Sequence, residues 1–367
     1  MSANSKIEWC DHTFNPWIGC TKVSAGCKNC YAEARDRRFA DGKHWGKDAP
    51  RQRTSASNWK QPIKWNRDAA MCKCGEIEAS KLHDCSAGRY DVNYHEKMQR
   101  ACVFCASLAD WLDDEVPIEW LADLLALIDA TPNLDWLLLT KRPENFVNRL
   151  CAVFEKGALS DNYGPPHGLV EGWLSEMRAP RPPKNVWLGV SVEDQEQADE
   201  RIPKLLEIPA VVRFLSCEPL LGPIDLTRID PYILDGDETN PGYTHAFSGK
   251  CYHPLTCRLG PTASENGIRW VICGGESGAK ARPMHPDWAL SLRDQCAAAS
   301  VPFFFKQWGE WEPLGPNGSV RSVKGVLTDR HFSRGNFSWL RVGKKRAGRL
   351  LDDREWNEMP EVASGKN

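Results

Sequence analysis

The chain has 367 residues, with 47 Lys and Arg against 49 Asp and Glu, which gives a formal net charge of −2. Apolar residues make up 41% and charged residues 26%, a balance that excludes a disordered or collagen-like protein. No run of about 18 apolar residues is present, so we expect no membrane-spanning helix. The first fifteen residues lack the apolar segment of a secretory signal, which predicts a cytoplasmic protein with reduced cysteines.

Short apolar segments without alternation predict strands that are buried on both faces of a parallel sheet. They lie at residues 103–106, 136–139, 186–190, 211–215, 270–273 and 302–305, and an earlier strand is predicted near 7–10. Apolar residues at helical spacing predict helices at 31–40, 118–130, 143–154, 194–207 and 286–299. This alternation predicts an α/β fold, either a barrel or an open sheet.

Two cysteine-bearing segments interrupt this pattern, at about residues 71–100 and 230–266. The first is polar and the second is rich in glycine and proline, so both are interpreted as loop insertions into one α/β barrel that spans residues 1–312. Residues 313–367 are Gly-rich and basic, which predicts a C-terminal cap. Within that cap we expect a hairpin that pairs residues 338–342 with 349–351.

Three cysteines lie in one loop between the first predicted strand and the first predicted helix. They are Cys20, Cys27 and Cys30, in the segment Thr-Phe-Asn-Pro-Trp-Ile-Gly-Cys-Thr-Lys-Val-Ser-Ala-Gly-Cys-Lys-Asn-Cys-Tyr-Ala-Glu. Thiolates this close repel one another unless a cation neutralises them, and cysteine is the ligand of iron–sulfur clusters. Asn15 suits a tight turn around such a cluster. The alternatives are a zinc ion closed by Cys10 or His12, or structural cysteines without metal.

A three-cysteine loop that follows the first strand of an α/β barrel and ends in Cys-x-x-Cys-Tyr resembles the radical S-adenosylmethionine (radical SAM) superfamily. The resemblance implies a partial (β/α)6 barrel in which the three thiolates hold a [4Fe–4S] cluster. The open iron then binds S-adenosylmethionine, and an electron donor drives its reductive cleavage. Six and two residues separate the cysteines here, where the superfamily usually has three and two.

A closer resemblance is to a phage-associated three-cysteine family of unknown function. Besides the cysteine loop, it rests on Trp-Leu-Gly-Val-Ser-Val-Glu at 187–193, Phe-Leu-Ser-Cys-Glu-Pro-Leu at 214–220, Trp-Val-Ile-Cys-Gly-Gly-Glu-Ser-Gly at 270–278 and Phe-Lys-Gln-Trp-Gly-Glu at 305–310. These segments cover most of the chain apart from the two insertions. By association, the resemblance points toward a nucleic-acid substrate.

Polar residues follow the predicted strands where each one ends, which is where α/β barrels carry their chemistry. We predict catalytic roles for Lys141, Glu193, Glu218 and Lys306. We predict cofactor binding by Ser107, Arg142, Ser191, Gly274, Gly275 and Glu276. The alternatives are ordinary surface polarity at strand ends and an inner ring of salt bridges.

The cofactor assignments follow from side-chain chemistry. Two glycines let backbone approach a ligand closely, and a carboxylate can accept from an ammonium or a ribose hydroxyl. Gly274-Gly275-Glu276 also resembles the Gly-Gly-Glu strand end that contacts the amino group of S-adenosylmethionine in radical SAM enzymes. Either Lys141 or Arg142 can pair with the carboxylate of that cofactor.

The cysteines of the insertions predict a second metal, most simply a structural zinc that orders a polar loop. Cys72, Cys74 and Cys85 are the candidate ligands in the first insertion, and Cys251 and Cys257 form a second candidate group in the other. One zinc shared by the two insertions and a second iron–sulfur cluster are the alternatives. Basic residues with aromatic residues between them occupy positions 319–349, a pattern typical of DNA or RNA binding. A solvated basic surface is the alternative interpretation.

Three functions remain compatible with the sequence. The first is a radical SAM enzyme acting on a nucleic acid or nucleobase. The second is a zinc-stabilised nucleic-acid-binding protein without catalysis. The third is an iron–sulfur sensing protein that does not use S-adenosylmethionine.

Overall fold

The computed structural model describes residues 5, 7–70, 100–159, 166–175, 180–230, 244–248, 250–251, 267–314, 331–334 and 337–361. Its strands in chain order are β1 (His12–Thr13), β2 (Trp17–Ile18), β3 (Gln52–Arg53), β4 (Ala101–Cys105), β5 (Leu134–Thr140), β6 (Val186–Ser191), β7 (Val212–Cys217), β8 (Thr244–His245), β9 (Lys250–Cys251), β10 (Trp270–Gly274), β11 (Phe303–Gln307), β12 (Trp311–Leu314), β13 (His331–Arg334) and β14 (Phe337–Arg341).

The helices of the described residues connect the strands. In chain order they are α1 (Tyr31–Ala40), α2 (Ala56–Trp59), α3 (Gln61–Ala70), α4 (Ile118–Asp129), α5 (Phe146–Leu159), α6 (His167–Leu174), α7 (Gln195–Glu207), α8 (Pro286–Ala298) and α9 (Lys344–Ala347). None of these helices combines the length and the apolar character needed to cross a membrane.

Seven parallel strands form the central sheet, in the order β1-β4-β5-β6-β7-β10-β11, and the sheet curls into a half-barrel. Helix α4 connects β4 to β5, α5 and α6 connect β5 to β6, α7 connects β6 to β7, and α8 connects β10 to β11. Six of the seven strands coincide within two residues with the predicted apolar segments. The predicted partial barrel is therefore confirmed.

The first strand of the sheet differs from its prediction. Residues 7–10 form a turn, closed where the Cys10 amide donates to the Ile7 carbonyl at 3.3 Å, and β1 begins two residues later. The turn directs Trp9 into the barrel, where its ring packs against Phe104 at 4.6 Å. The apolar residues of this segment therefore fill the interior instead of extending the sheet.

Alternation along the strands separates two apolar layers. Residues facing outward pack against the helices, whereas the interior is filled largely by aromatic rings. Trp270 lies at the centre of this interior, and its ring centroid is 5.9–6.3 Å from those of four other aromatic residues: Trp9, Trp187, Phe214 and Phe304. A Cβ at Gly189 would overlap the Phe214 ring, so only glycine fits there. Aromatic rings fill the interior of the barrel, and polar residues lie at the carboxyl ends of its strands.

A three-stranded antiparallel sheet, β12-β14-β13, follows the barrel. Predicted strand 338–342 corresponds to β14, but its predicted partner at 349–351 is wrong. Trp339 of β14 is buried and donates to the Met284 carbonyl at 2.8 Å, which fixes β14 beside the start of α8. Residues 349–351 lie against the barrel instead, where the Leu350 carbonyl accepts from the Trp308 indole at 2.8 Å.

Candidate functional site

The carboxyl ends of the sheet strands form a polar mouth. Inward-facing positions of the strands carry apolar residues at depth and polar residues at or just after the strand end. The structure thus places most of the predicted site residues along one edge of the sheet, namely Ser107, Lys141, Arg142, Ser191, Glu193, Glu218, Gly274, Gly275, Glu276 and Lys306.

The three-cysteine loop, residues 19–30, is held against this mouth by side chains from three different strand ends. Arg142 donates to the Thr21 carbonyl at 2.6 Å, and Glu193 accepts from the Ser24 hydroxyl at 3.4 Å. Asn29 donates to Glu276 Oε2 at 3.1 Å. Because these anchors follow β5, β6 and β10, the loop spans the mouth rather than one edge of it.

Glu193 is the most buried carboxylate of the mouth. It is fully buried, its Oε1 pairs with Lys141, and its Oε2 pairs with Arg201 at 3.0 Å. Burial alone would raise the pKa of Glu193, but the charges of Lys141 and Arg201 lower it below the usual value. A Cβ at Gly26 would overlap this carboxylate, so the loop backbone rests directly on Glu193.

A second ion pair crosses the mouth beside the first. Lys306 Nζ lies 3.0 Å from Glu218 Oε2, and both side chains are largely buried. A Cβ at Gly274 would lie 2.5 Å from Glu218 Oε1, and one at Gly275 would overlap the Trp308 carbonyl. The two glycines therefore make room for protein atoms in this structure, and Lys306 and Glu218 are paired with each other.

Glu276 is saturated by protein donors. Arg282 binds it through two side-chain nitrogens, at 2.8 and 2.7 Å, and through its backbone amide at 2.8 Å. Although burial raises the pKa of Glu276, the hydrogen bonds from Arg282 and Asn29 lower it below the usual value. Arg282 also donates to the Ala25 carbonyl at 3.1 Å, so Arg282 and Glu276 together hold the loop on both sides of its second cysteine, Cys27.

Arg142 connects the mouth to the first cysteine. Its guanidinium lies 3.1 Å from Asp110 Oδ2 and 3.5 Å from Cys20 Sγ. Burial raises the pKa of the Cys20 thiol to about 12, although the positive charge of Arg142 opposes that effect. Cys20 is consequently a protonated thiol in this state, placed beside a cation that favours its thiolate.

Asn15 shapes the start of the loop. Its side chain donates to the Ser107 hydroxyl at 3.0 Å and accepts from the Leu108 amide at 2.7 Å. Its carbonyl accepts from Asn58 and Thr54 at 3.0 and 2.9 Å. Asn15 thereby ties the segment before the loop to the end of β4.

The loop cysteines fit an iron–sulfur cluster in their chemistry, but they are not assembled as one ligand set. Burial raises the pKa of Cys30, the neighbouring Cys27 raises it further, and Lys141 lowers it. Cys20 contacts Arg142 instead. Among the described residues, no three His, Cys, Asp or Glu side chains are placed to hold a metal ion together. A shared cluster requires the loop to bring Cys20 toward the other two cysteines.

The alternative zinc ligands lie in other surroundings. Cys10 donates to the Ser5 hydroxyl at 3.3 Å, and the His12 ring stacks on Trp65 at 4.3 Å. Cys251 belongs to the short strand β9. Four of the predicted zinc ligands fall outside the described residues: Cys72, Cys74, Cys85 and Cys257.

The basic and the aromatic residues of the C-terminal cap, which together predict nucleic-acid binding, lie in different surroundings. Lys344, Lys345 and Arg346 are exposed, as a phosphate-binding surface requires. Trp339 is buried, and the Phe337 ring packs against His285 at 4.2 Å. Trp339 therefore has no free ring face for stacking, whereas Phe337 is half-buried.

The sequence prediction missed three residues that organise the mouth: Asn29, Arg201 and Arg282. Arg201 carries a detectable signal, since it lies on the apolar face of α7 between Ala198 and Leu205, where a buried arginine needs an acidic partner. Arg282 and Asn29 give no such signal. They lie in loops, and their shared partner Glu276 is 247 residues from Asn29 in the chain.

Comparison with known proteins adds family membership. No significant match is found among curated proteins or among solved structures. The family model described as "Protein of unknown function (DUF5131)" matches residues 4–360. Because this match spans nearly the whole chain, the protein belongs to the DUF5131 family.

Proposed function

We propose that this protein is an iron–sulfur enzyme of the radical SAM type, acting on a nucleic acid or nucleobase. The observation that carries the proposal is the position of the three-cysteine loop across the carboxyl-end mouth of a parallel half-barrel. Arg142, Glu193 and Glu276 anchor the loop there from three strand ends. A structural zinc loop on a surface would not need anchors from the catalytic edge of the barrel.

Cys20, Cys27 and Cys30 would hold a [4Fe–4S] cluster, which leaves one iron for an outside ligand. When bound and reduced by an electron donor, such a cluster supplies one electron to S-adenosylmethionine, giving methionine and a 5′-deoxyadenosyl radical. The chain's own contribution is electrostatic. Cluster ligation requires deprotonated thiols, and the cations Arg142 and Lys141 stabilise thiolate charge at Cys20 and Cys30.

The remaining mouth residues differ in how many protein partners their side chains have. The side chain of Glu276 is occupied by Arg282 and Asn29, so we assign it to loop positioning rather than to direct cofactor binding. Lys141 and Lys306 each have one carboxylate partner and some exposure. Their Nζ atoms are the groups best placed to bind a cofactor carboxylate or to hold a proton near the substrate.

Metal analysis and product formation test the proposal together. Protein purified without oxygen should contain about four iron and four sulfide per chain, as a [4Fe–4S] cluster requires. Dithionite and S-adenosylmethionine should then yield 5′-deoxyadenosine. Stoichiometric zinc without iron would overturn the proposal in favour of a zinc-stabilised nucleic-acid-binding protein. Iron without 5′-deoxyadenosine would favour an iron–sulfur protein that does not use S-adenosylmethionine.

A further inference from the structure

The exposed face of α1 combines aromatic and cationic side chains beside the mouth. Tyr31, Arg35 and Arg38 follow the spacing that places residues on one side of a helix, and all three are exposed. Phe39 is 72% exposed and lies next to both arginines, whose guanidinium carbons are 5.5 and 5.3 Å from its ring centroid. We define these four residues as the α1 face.

The acidic residues of α1 do not neutralise this face. Asp36 is buried and pairs with His44 at 2.7 Å. Glu33 is buried and pairs with Lys22 and Arg37 at 2.6 and 2.7 Å. Within the described part of the chain, neither arginine of the α1 face has a carboxylate partner.

The surroundings of the α1 face add further positive charge. Exposed cations between residues 28 and 48, besides those of the face, are Lys28, Arg37, Lys43 and Lys47, against exposed Asp41 and Asp48. A single exposed aromatic residue is common on protein surfaces and needs no explanation. An exposed ring between two unpaired arginines in a positive field is a more specific combination, because it offers stacking and anion binding at one place.

The position of α1 connects this face to the mouth. Its N-cap is Cys30, the third cysteine of the loop, and the Tyr31 hydroxyl donates to the Ser107 carbonyl at the end of β4. At 1.5 Å per residue, the ten residues of α1 extend about 15 Å from that point. A chain bound along the α1 face would therefore lead directly to the three-cysteine loop.

We propose that the α1 face binds single-stranded nucleic acid and directs it to the mouth, with phosphates on Arg35 and Arg38 and an unpaired base on Phe39. This ligand supplies both chemistries that the face offers, negative charge and flat aromatic rings. A duplex hides its base faces, and an acidic peptide or an anionic membrane supplies charge without stacked bases. The inference extends the proposed function by placing its substrate, and it rests on that function for the role of the mouth.

Fluorescence anisotropy with labelled 12-mers of dT, of U and of a mixed-sequence duplex tests the inference on the full-length protein, purified without oxygen. We expect binding of at least one single strand at 50 mM salt, and the dT and U probes distinguish DNA from RNA. Phe39→Ala should weaken binding at least fivefold, whereas Phe39→Trp should keep it. Arg35→Gln with Arg38→Gln should reduce the slope of log K against log salt by about 1.4.

The double variant Lys60→Gln with Lys64→Gln is the matched control, because it removes two exposed cations from outside the α1 face. It should leave the affinity within twofold. Absence of single-strand binding, equal binding of the duplex, or equal affinity of Phe39→Ala and wild type would each overturn the inference. So would binding to phosphatidylserine vesicles in place of oligonucleotides.

The Cys27→Ala variant separates this inference from the proposed function. It should bind the single strand like wild type and form no 5′-deoxyadenosine. Wild-type protein that cleaves S-adenosylmethionine but binds no strand would overturn only the α1 inference. Protein that binds the strand through Phe39 but carries no iron would overturn only the proposed function.

Discussion

Along strand β6, Trp187 and Gly189 face the aromatic interior, whereas Glu193, two residues beyond the strand, faces the polar mouth. The interior is stabilised by close packing, because each aromatic ring fills the space between its neighbours. The mouth is stabilised by charge, since Glu193 is paired with Lys141 and Arg201 from two other elements. One strand therefore serves two environments whose stability depends on different forces.

Carboxylates at the two ends of the barrel show the same difference. At the mouth, Glu193 is buried with two cations, and its pKa is lowered. Near the opposite end, Asp135 of β5 is buried with one partner, Arg100 at 3.3 Å, and burial raises its pKa to about 6. Two cations thus more than offset the effect of burial on the pKa of Glu193, whereas the single cation beside Asp135 offsets it only in part.

Removing a loop cysteine is the strongest test of the mouth. Cys27→Ala should lose nearly all bound iron and all 5′-deoxyadenosine formation, because three thiolates are needed to hold the proposed cluster. The measurements are iron analysis and product chromatography. Cys217→Ala is the matched control, since Cys217 is buried in the outer apolar layer. A Cys27→Ala protein with wild-type iron content would contradict the assignment.

Breaking the buried ion pairs should have the next largest effect. Glu193→Gln leaves Lys141 and Arg201 without their carboxylate, so the free energy of unfolding should fall by about 3–5 kcal/mol. Urea denaturation measures this loss. Glu196→Gln, an exposed change in the first turn of α7, should lower it by less than about 1 kcal/mol. Equal effects of the two variants would show that the mouth does not depend on Glu193.

The free energy of unfolding should depend on pH through Asp135, at the lower end of the barrel. Because the pKa of Asp135 is higher in the folded protein than in the unfolded chain, its contribution to stability is fully present below about pH 4. It should be lost as pH rises through about 6, a difference of about 3 kcal/mol. Asp135→Asn should remove this part of the pH dependence, as measured by urea denaturation from pH 4 to 7. Parallel curves for variant and wild type would disprove it.

Overpacking the interior should give the smallest effect. Gly189→Ala places a methyl group against the Phe214 ring and should lower the free energy of unfolding by about 1–3 kcal/mol. Gly168→Ala is the matched control, because Gly168 lies in α6 with open space around its Cβ position. That change should instead raise stability by about 0.5–1 kcal/mol. A tolerated Gly189→Ala would mean that the interior is less tightly packed than described.

The sequence predicts the barrel well because burial on both faces leaves a direct record. Segments such as 186–190 are continuously apolar, and β6 extends only one residue further. The two-residue strand β1 leaves no such record, so the apolar residues at 7–10 were mistaken for it. Likewise, the sequence predicts β14 but does not predict that it pairs with β12 and β13. Composition does not show that Trp339 of β14 is buried.

The sequence predicts which residues lie at the mouth, but it does not predict how they pair. Glu193 and Lys306 are identifiable because each lies within three residues of the end of an apolar run. Their pairing is not, because Glu193 meets Arg201 through helix geometry and Glu276 meets Arg282 through a loop. Which carboxylates are available to a ligand, and which are occupied by the protein, depends on these contacts, which the spacing of residues in the sequence does not show.

The carboxylate of Glu193 connects the position of the cysteine loop with ligand binding at the mouth. Glu193 Oε1 is shared between Lys141 and the Ser24 hydroxyl of the loop. If an anion drew Lys141 away, that oxygen would be free for Ser24, and ligand binding and loop docking would then change each other's equilibrium. Thermodynamic reciprocity then requires that a displaced loop alter anion affinity by the same factor by which the anion alters docking.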